Sequence, residues 1–550
     1  MATIFCTNTQ KDIDFQYGKS LSDFIKEENI SLDNNILGAL VNNKVRSLSY
    51  KIHKPSVVTF FDITSSYGHE MYFRSVYFIL FKAIHDLYPE AKLKILHSIS
   101  GGKYCEIDNM RENLTQEVVN RICQKMDEII KKDIPFERKE VFTQKAMDMY
   151  EQMGLSDKSD IFRGRKRLFT TIYQLDNVVN YYYSHLLPST GYIKMYKIEL
   201  YESGIILKIP SRKRPDTISQ TRRMPKLFAV YKEFKDWANQ MGVPYVADIN
   251  KRVEDKTIQN LILQTEAYQE KIWANTADEI KERNSKIILI SGPSSSGKTT
   301  SCKRMSIQLS ILGYKPIEIS VDDFFVEREN TPRDENGEYN FETIDAIDIE
   351  LFNTTLKDLL DGKEVELPVF NFTTGKKEWH GKKCKMEENS ILIIEGIHCL
   401  NPTLTEKIDD NWKYKIFVSA LTSLSIDMQN PIPTSDNRLL RRIIRDYNYR
   451  GYSAAETIRR WPSVRNGEEK YIFPYQENAD RMFNTSLLYE MGVIFPYILP
   501  ILFEVPETAP EYPEAFRLIK FLSYFKPIPE SLIPGTSIIR EFVGGSKFKY

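Results

Sequence analysis

The segment that most restricts the fold begins at Ile287-Ile288-Leu289-Ile290 and runs directly into Ser291-Gly292-Pro293-Ser294-Ser295-Ser296-Gly297-Lys298-Thr299-Thr300. Four apolar residues stopped by glycine read as a short buried strand, and the residues from Lys298 to Ser310 read as the helix that follows it. A strand, a glycine turn and a helix in succession belong to an α/β domain built on a parallel sheet. The spacing Gly292-x-x-x-x-Gly297-Lys298-Thr299 is that of a loop that cradles phosphates. Its glycines let backbone N–H groups approach phosphate oxygens, and the helix N-terminus favours anions. Residues Gly292 to Thr300, including Pro293, Ser294, Ser295, Ser296 and Thr300, are therefore expected to bind ATP. Lys298 is expected to reach the outer phosphates and Thr299 to hold Mg²⁺.

Four clusters follow in an order that suits phosphoryl transfer. Ile317 to Phe325 is a strand ending in Asp322-Asp323, where a carboxylate can take a proton from an acceptor hydroxyl. Ile391-Leu392-Ile393-Ile394-Glu395-Gly396 is an apolar strand ending in an acid that acts through Mg²⁺. Between Arg438 and Asp446, Arg438, Arg441 and Arg445 share one helix face with Arg442 beside them. Leu440, Ile443 and Ile444 supply the buried side, and Arg450-Gly451 follows as part of a closing lid. In the stretch from Asn340 to Asp348, Asp345 is placed to hold sugar hydroxyls, and Phe370 and Phe372 to flank a flat base. Alternate Phe residues also fit one face of an ordinary strand.

Composition narrows the partners. Seventy-five basic residues balance 75 acidic ones, so no global field draws the chain to nucleic acid or an anionic membrane. The six cysteines form no C-x-x-C pair, which fits reduced cytoplasmic usage. The first residues show no basic-then-apolar signal pattern, so a cytoplasmic location is expected. The most apolar stretch, Met491 to Val505, is broken by Pro496 and Pro500 and is short for a bilayer span. Ser211 to Lys226 is polar, proline-bearing and basic. It reads as a linker, and its charges suit either a solvated loop or an RNA or phosphate contact.

Together GPSSSGKT, SVDDFF, NFETIDAID, LPVFNF, IIEGIH and RLLRRIIRD resemble the uridine kinase/phosphoribulokinase family of P-loop kinases over residues 285 to about 490. The resemblance implies ATP–Mg²⁺-dependent phosphorylation of a hydroxyl, first that of a nucleoside such as uridine, with Asp322 as catalytic base. It implies a ribose acid at Asp345, an aromatic pair at Phe370 and Phe372, and Glu395 after the Walker-B strand. Lys298, Arg441, Arg445 and Arg450 would face the transferred charge, Arg441 would also contact substrate, and Asp322, Glu395 and Thr299 would surround the metal. Two positions depart from the family. Gly375 stands where uridine-cytidine kinases carry a base-reading histidine, and the lid reads Arg450-Gly451-Tyr452 rather than Arg-Gly-Arg. A kinase for another small hydroxylated acceptor, or a nucleotide-switched RNA-binding regulator, remains as an alternative.

The N-terminal half resembles other modules. Residues 1–62 are similar to the TGS domain, a small β-grasp unit. Residues 63–210 are similar to the second, editing-associated domain of threonyl-tRNA synthetase, through the helix ending Ala83 to Pro89 and the stretch Pro188 to Gly191. That family's H-S-x-x-H motif aligns with Arg74-Ser75-Val76-Tyr77-Phe78, and its later Cys and His align with Tyr182 and Leu186, with His185 adjacent. The imidazoles and thiolate of a metal or hydrolytic site are thus missing, and binding, regulation or assembly is expected instead of editing. The order of modules resembles the fused nucleoside kinases, a group in which Pro332 to Tyr339 and the run from Arg459 through Arg465 to Pro474 also look familiar. The expected organisation is α+β at 1–62, α+β at 63–210, a linker and helices at 211–282, a P-loop kinase at 283–506 and a C-terminal extension at 507–550. A homo-oligomer is expected.

Overall fold

The computed structural model describes residues 2–549 except 166, 334–336, 338 and 382. Most of the interior of the Pro332–Tyr339 motif therefore lies outside the described residues. The kinase-like half centres on a five-stranded, all-parallel sheet. Its spatial order is Lys315–Ser320, Ser390–Glu395, Ile287–Ser291, Lys413–Ser419, Arg481–Asn484. Ile287 through Ile290 are fully buried because the central strand is covered by helices on both faces. The register pairs Ile290 with Glu395, and Glu395 with Ser320, so three strands end level with one another. Ligands of open α/β sheets bind at that carboxyl edge.

The chain leaves the central strand at Ser291, turns, and enters the helix Lys298–Ile311, close to the span expected from the sequence. Gly297 sits at φ +82° in the left-handed region, and Ser295 at φ +57° is the non-glycine residue of the loop that shares it. A side chain at Gly292 would collide with the Val418 carbonyl oxygen at 2.1 Å, so the neighbouring strand itself demands glycine there.

Ahead of this sheet lie two α+β units. In the first, five strands in the order Lys11–Phe15, Ala2–Cys6, Ser56–Phe61, Gly38–Val41, Lys44–Arg46 carry the helix Leu21–Glu27, whose Leu21 and Phe24 are buried, in a β-grasp arrangement. The second has a four-stranded antiparallel sheet and a three-stranded one. Its long helix, Ser66–Leu87, starts four residues earlier than the apolar periodicity suggests, because Ser65 caps it by accepting the Gly68 N–H. The hairpin Lys197–Tyr201 and Gly204–Lys208 forms as expected. The basic linker is pinned down by Arg212 on the Thr64 carbonyl and Arg223 beside Glu202.

The apolar stretch from Met491 becomes the helix Glu490–Phe503 with both prolines inside it. Among the described residues no helix is long and apolar enough to cross a membrane. Tyr512–Leu522 is a helix packed on Ala454–Tyr471 and Glu490–Phe503, and Arg540–Val543 forms a short turn of helix.

Candidate active site

The carboxyl edge of the parallel sheet gathers several of the residues singled out in the sequence. Lys298 opens the helix after the loop and donates from Nζ to the Pro293 carbonyl oxygen at 3.3 Å. Asp322 lies two residues past the strand Lys315–Ser320, in the tight turn Val321–Phe324, and the charges that act on it are those of Lys298, Arg450 and Arg445. Burial raises the Asp322 carboxyl above its ordinary range, and the three cations oppose that rise. Glu395 closes the adjacent strand and accepts a hydrogen bond from Ser320 Oγ at 3.3 Å. Burial pushes Glu395 up to about 7; Lys298 works against the shift, while Asp322 and Glu541 add to it.

The arginine helix spans Thr434–Arg450 and divides its cations by depth. Arg441 is fully buried and held by Glu490: its Nη2 donates to Glu490 Oε2 and to the Thr485 carbonyl, both at 2.8 Å. Arg438, equally buried, donates from Nη1 to Glu468 at 3.0 Å and from Nε to the Ser294 carbonyl at 2.9 Å. Arg441, expected from the sequence to contact substrate, is thus turned to Glu490. Its charge is matched by Glu490, and its contact with the loop is a 3.4 Å hydrogen bond to the Ser295 carbonyl. Arg442 donates to Ser294 Oγ at 2.7 Å, Arg445 to Asp446 at 2.8 Å, and Arg450 lies 3.7 Å from the same aspartate. Gly451 then ends the helix at φ +70°.

Sequence reasoning missed the carboxylates that hold the loop from outside. Glu468 accepts the Ser294 backbone N–H at 3.1 Å and an Arg465 hydrogen bond at 2.8 Å. The Arg459–Pro474 run thereby acquires a physical part, as a brace under the phosphate loop. Thr485 Oγ1 donates to the Ser296 carbonyl at 2.6 Å. Glu541, from the C-terminal extension, accepts the Thr300 hydroxyl at 2.5 Å and its backbone N–H at 3.4 Å, while Ile538 closes over Gly297. No motif in the sequence marks that last contact.

On the acceptor side the residues separate. Asp345 is exposed and accepts the Thr343 hydroxyl at 2.9 Å. Glu342, three residues earlier, lies deeper and is pushed up to about 7 by burial; among the charges acting on it are Arg442, Glu468, Lys298 and Asp322. Phe370 is buried, edge-on to Phe325 at 5.6 Å and to Phe372 at 5.1 Å, whereas Phe372 is 58% exposed. Phe370 thus forms part of the core, and only Phe372 offers a free ring. Gly375 sits at φ +73°, and a Cβ there would meet the Arg328 side chain at 2.6 Å. Arg328 caps this turn, donating to the Phe372 carbonyl and, at 3.3 Å, to that of Thr373.

Mg²⁺ fits the donor chemistry: the Thr299 hydroxyl, Asp322 and Glu395 are hard oxygen donors, and the two mutually repelling, half-buried carboxylates share Lys298 as a nearby cation. In the editing-like unit, by contrast, Phe78 and Leu186 are buried in the core, Arg74 is paired with Glu70 at 3.1 Å, and the Tyr182 hydroxyl accepts from Asn180 at 3.2 Å. Among the described residues no group of three or more His, Cys, Asp and Glu side chains could hold a metal ion.

A parallel sheet whose carboxyl edge carries a glycine loop, a lysine and paired acids defines a P-loop phosphotransferase fold. Residues 287–487 match the phosphoribulokinase/uridine kinase family, and the chain belongs to it. It is 31% identical over 202 residues to a uridine kinase of Ligilactobacillus salivarius (strain UCC118), which covers 36% of this chain and 85% of that relative. Uridine-cytidine kinase 2-B of Danio rerio is 29% identical over 210 residues, 35% of this chain and 70% of the relative. A threonine–tRNA ligase of Clostridium kluyveri is 31% identical over 189 residues, 34% of this chain but only 30% of the ligase. That match falls on the N-terminal region, so the chain joins a synthetase-like half to a kinase-family half.

Proposed function

We propose that the C-terminal half transfers a phosphoryl group from ATP to a hydroxyl of a small acceptor, first of all the 5′-hydroxyl of a nucleoside such as uridine. The observation that carries this reading is that Lys298, Arg445 and Arg450 all act on Asp322, and that Glu395 faces the same lysine. A protein that merely held a nucleotide would have no use for an acid beside the lid arginines. In this reading Asp322 orients the acceptor hydroxyl and takes its proton. The loop backbone from Ser294 to Thr300 holds the phosphates. Lys298, Arg445 and Arg450 face the charge that spreads over the transferred group. Thr299, Glu395 and Asp322 would hold Mg²⁺, which when bound supplies charge neutralisation to the phosphates. Glu342 and Asp345 lie on the side where a sugar would enter, and the exposed Phe372 offers a ring for a base.

Arg328 gives the second reading its footing, because a guanidinium packs against Gly375 where the family resemblance puts a base-reading imidazole. An acceptor other than a pyrimidine nucleoside would suit that change. Coupled ADP release over a panel of nucleosides, ribulose 5-phosphate and pantothenate separates the two. Stimulation by uridine supports the first reading, and stimulation by another acceptor the second. No stimulation by any of them overturns phosphoryl transfer. Asp322→Asn should keep ATP binding while lowering turnover by roughly three or more orders of magnitude.

A further inference from the structure

A pocket of about 140 Å³ lies between the second α+β unit and the helix Tyr512–Leu522, away from the phosphate loop. Its cations come from separate parts of the chain: Arg138 from the strand Glu137–Phe142, Arg165 from the end of the helix Ser156–Arg165, Arg167 just beyond it, and Lys520. Nearby basic groups are neutralised, Arg74 by Glu70 and Arg517 by Asp436 and Glu514. The four lining the pocket are different, since among the described residues none of them makes an ion pair. Arg138 donates to the Thr171 hydroxyl at 3.1 Å and Arg165 to the Tyr524 hydroxyl at 3.0 Å, partners that supply no charge. One acid, Glu140, lines the pocket against them.

A second cavity of about 80 Å³ adjoins the first, sharing Tyr183, Ser184, His185 and Lys520 and adding Arg46. Three buried nitrogens around this junction, Arg46 Nε, Arg165 Nε and His185 Nδ1, have no hydrogen-bond partner among the described residues. Burial, and then the guanidiniums of Arg138, Arg46, Arg167 and Arg165, bring the Lys520 ammonium down to about 8. Cations brought together without a counter-charge repel one another, and their self-energy falls when a multiply charged anion enters. Guanidiniums from several directions match phosphate oxygens in pairs, and tyrosine hydroxyls add further donors.

We propose that this pocket binds a small molecule bearing a diphosphate or similarly charged phosphate group, at a site separate from the phosphate loop. Single-stranded RNA is the competing occupant, because the stacked, exposed pair Phe142 and Phe169 (ring centres 4.7 Å apart) stands at the rim. The charge distribution favours the small molecule. In the basic loop that would continue a nucleic-acid track, Lys213 lies 3.8 Å from Glu469 and Arg223 3.5 Å from Glu202, so two of its cations already have acidic neighbours.

The test titrates the full chain with inorganic pyrophosphate by calorimetry. Because the phosphate loop also accepts pyrophosphate, two sites are expected. Lys298→Met should abolish one. Arg138→Gln combined with Arg167→Gln and Lys520→Gln should weaken the other at least tenfold while ATP turnover and Tm stay unchanged. Arg138→Gln alone, at an exposed position, guards against misfolding of the triple variant and should also weaken that second site. A single site lost with Lys298→Met overturns the proposal, as does a second site indifferent to the glutamine variants. An oligouridylate that binds through these residues when pyrophosphate does not would assign the patch to RNA and overturn it too. The Lys298 arm reads the phosphate loop separately, so failure here leaves the kinase reading standing.

Discussion

At the scale of single residues, the site is arranged around charge that the chain's own side chains leave incompletely matched. Glu395 and Glu342 are both pushed up to about 7, chiefly because burial disfavours their ionised forms. Lys298 opposes the rise in each. Glu541 adds a further acid to this neighbourhood by taking the Thr300 hydroxyl and N–H at the start of the phosphate-loop helix. That helix end is where an anion gains most from the unpaired N–H groups and the dipole, so the carboxylate occupies ground a phosphate would want. Repulsion between unit charges is about 1 kcal/mol at 4 Å even in bulk water and larger in a cleft. Glu541→Gln keeps the side chain's shape and removes its charge. It should bind ATP roughly fivefold or more tightly, as read by calorimetry on the full chain. Weaker binding would instead make Glu541 a support for the loop. The Gly292–Thr300 loop was legible in the sequence because its chemistry is local, a spacing of glycines and Lys-Thr within ten positions. Glu541 was not, because its part depends on a fold-back over 241 residues.

At the scale of elements, the helix Thr434–Arg450 shows how far a periodic pattern can be read. The spacing of Arg438, Arg441 and Arg445 gives a shared face, and Leu440, Ile443 and Ile444 are buried as the pattern requires. What the pattern leaves out is depth. Near its start the helix runs under the phosphate loop, where Arg438 meets Glu468 and Arg441 meets Glu490, carboxylates 30 and 49 positions downstream. Near its end it emerges, and Arg450 is left half exposed at 52%. The same residue type therefore does structural work at one end and faces the cleft at the other. Arg441→Met strips Glu490 of its counter-charge and should cost about 3–5 kcal/mol of stability, the loss expected when a buried pair is broken from one side. Arg450→Ala should leave Tm nearly unchanged and lower turnover with little change in ATP binding. Thermal melts and steady-state kinetics on the two variants separate these outcomes. Equal loss of Tm in both would mean that Arg450 is a structural residue as well.

At the scale of the whole molecule, the two halves are joined by buried polar contacts rather than by the linker. The segment Ser425–Pro431 leaves the kinase sheet and is clasped by the synthetase-like unit: the Met428 N–H meets Asp157 at 2.8 Å, Gln429 donates to the Leu93 carbonyl at 3.0 Å, and the Met428 carbonyl accepts from Ile95 at 2.8 Å. At its centre Lys158 and Asp427, both fully buried, pair at 2.7 Å across 269 residues of sequence. In the sequence Lys158 stands within Ser-Asp-Lys-Ser-Asp, which reads as a solvated helix turn, and nothing near Asp427 hints at a partner in the other half. The modules were legible because each carries its own periodicity and motifs; the joint between them was not, because it is made by residues that look polar and ordinary locally. The joint has a thermodynamic consequence. Lys158→Met leaves the Asp427 carboxylate buried without its cation, at a cost of about 3–5 kcal/mol, while Lys158→Met with Asp427→Leu removes both charges and should recover most of that loss. Because the pair is shared, the single variant should lower the melting transition of both halves together, seen as ATP binding lost at the same temperature as the N-terminal tyrosine signal. If Lys158→Met loosens the N-terminal half alone while ATP binding persists to the wild-type Tm, the halves are energetically independent and the joint merely a contact.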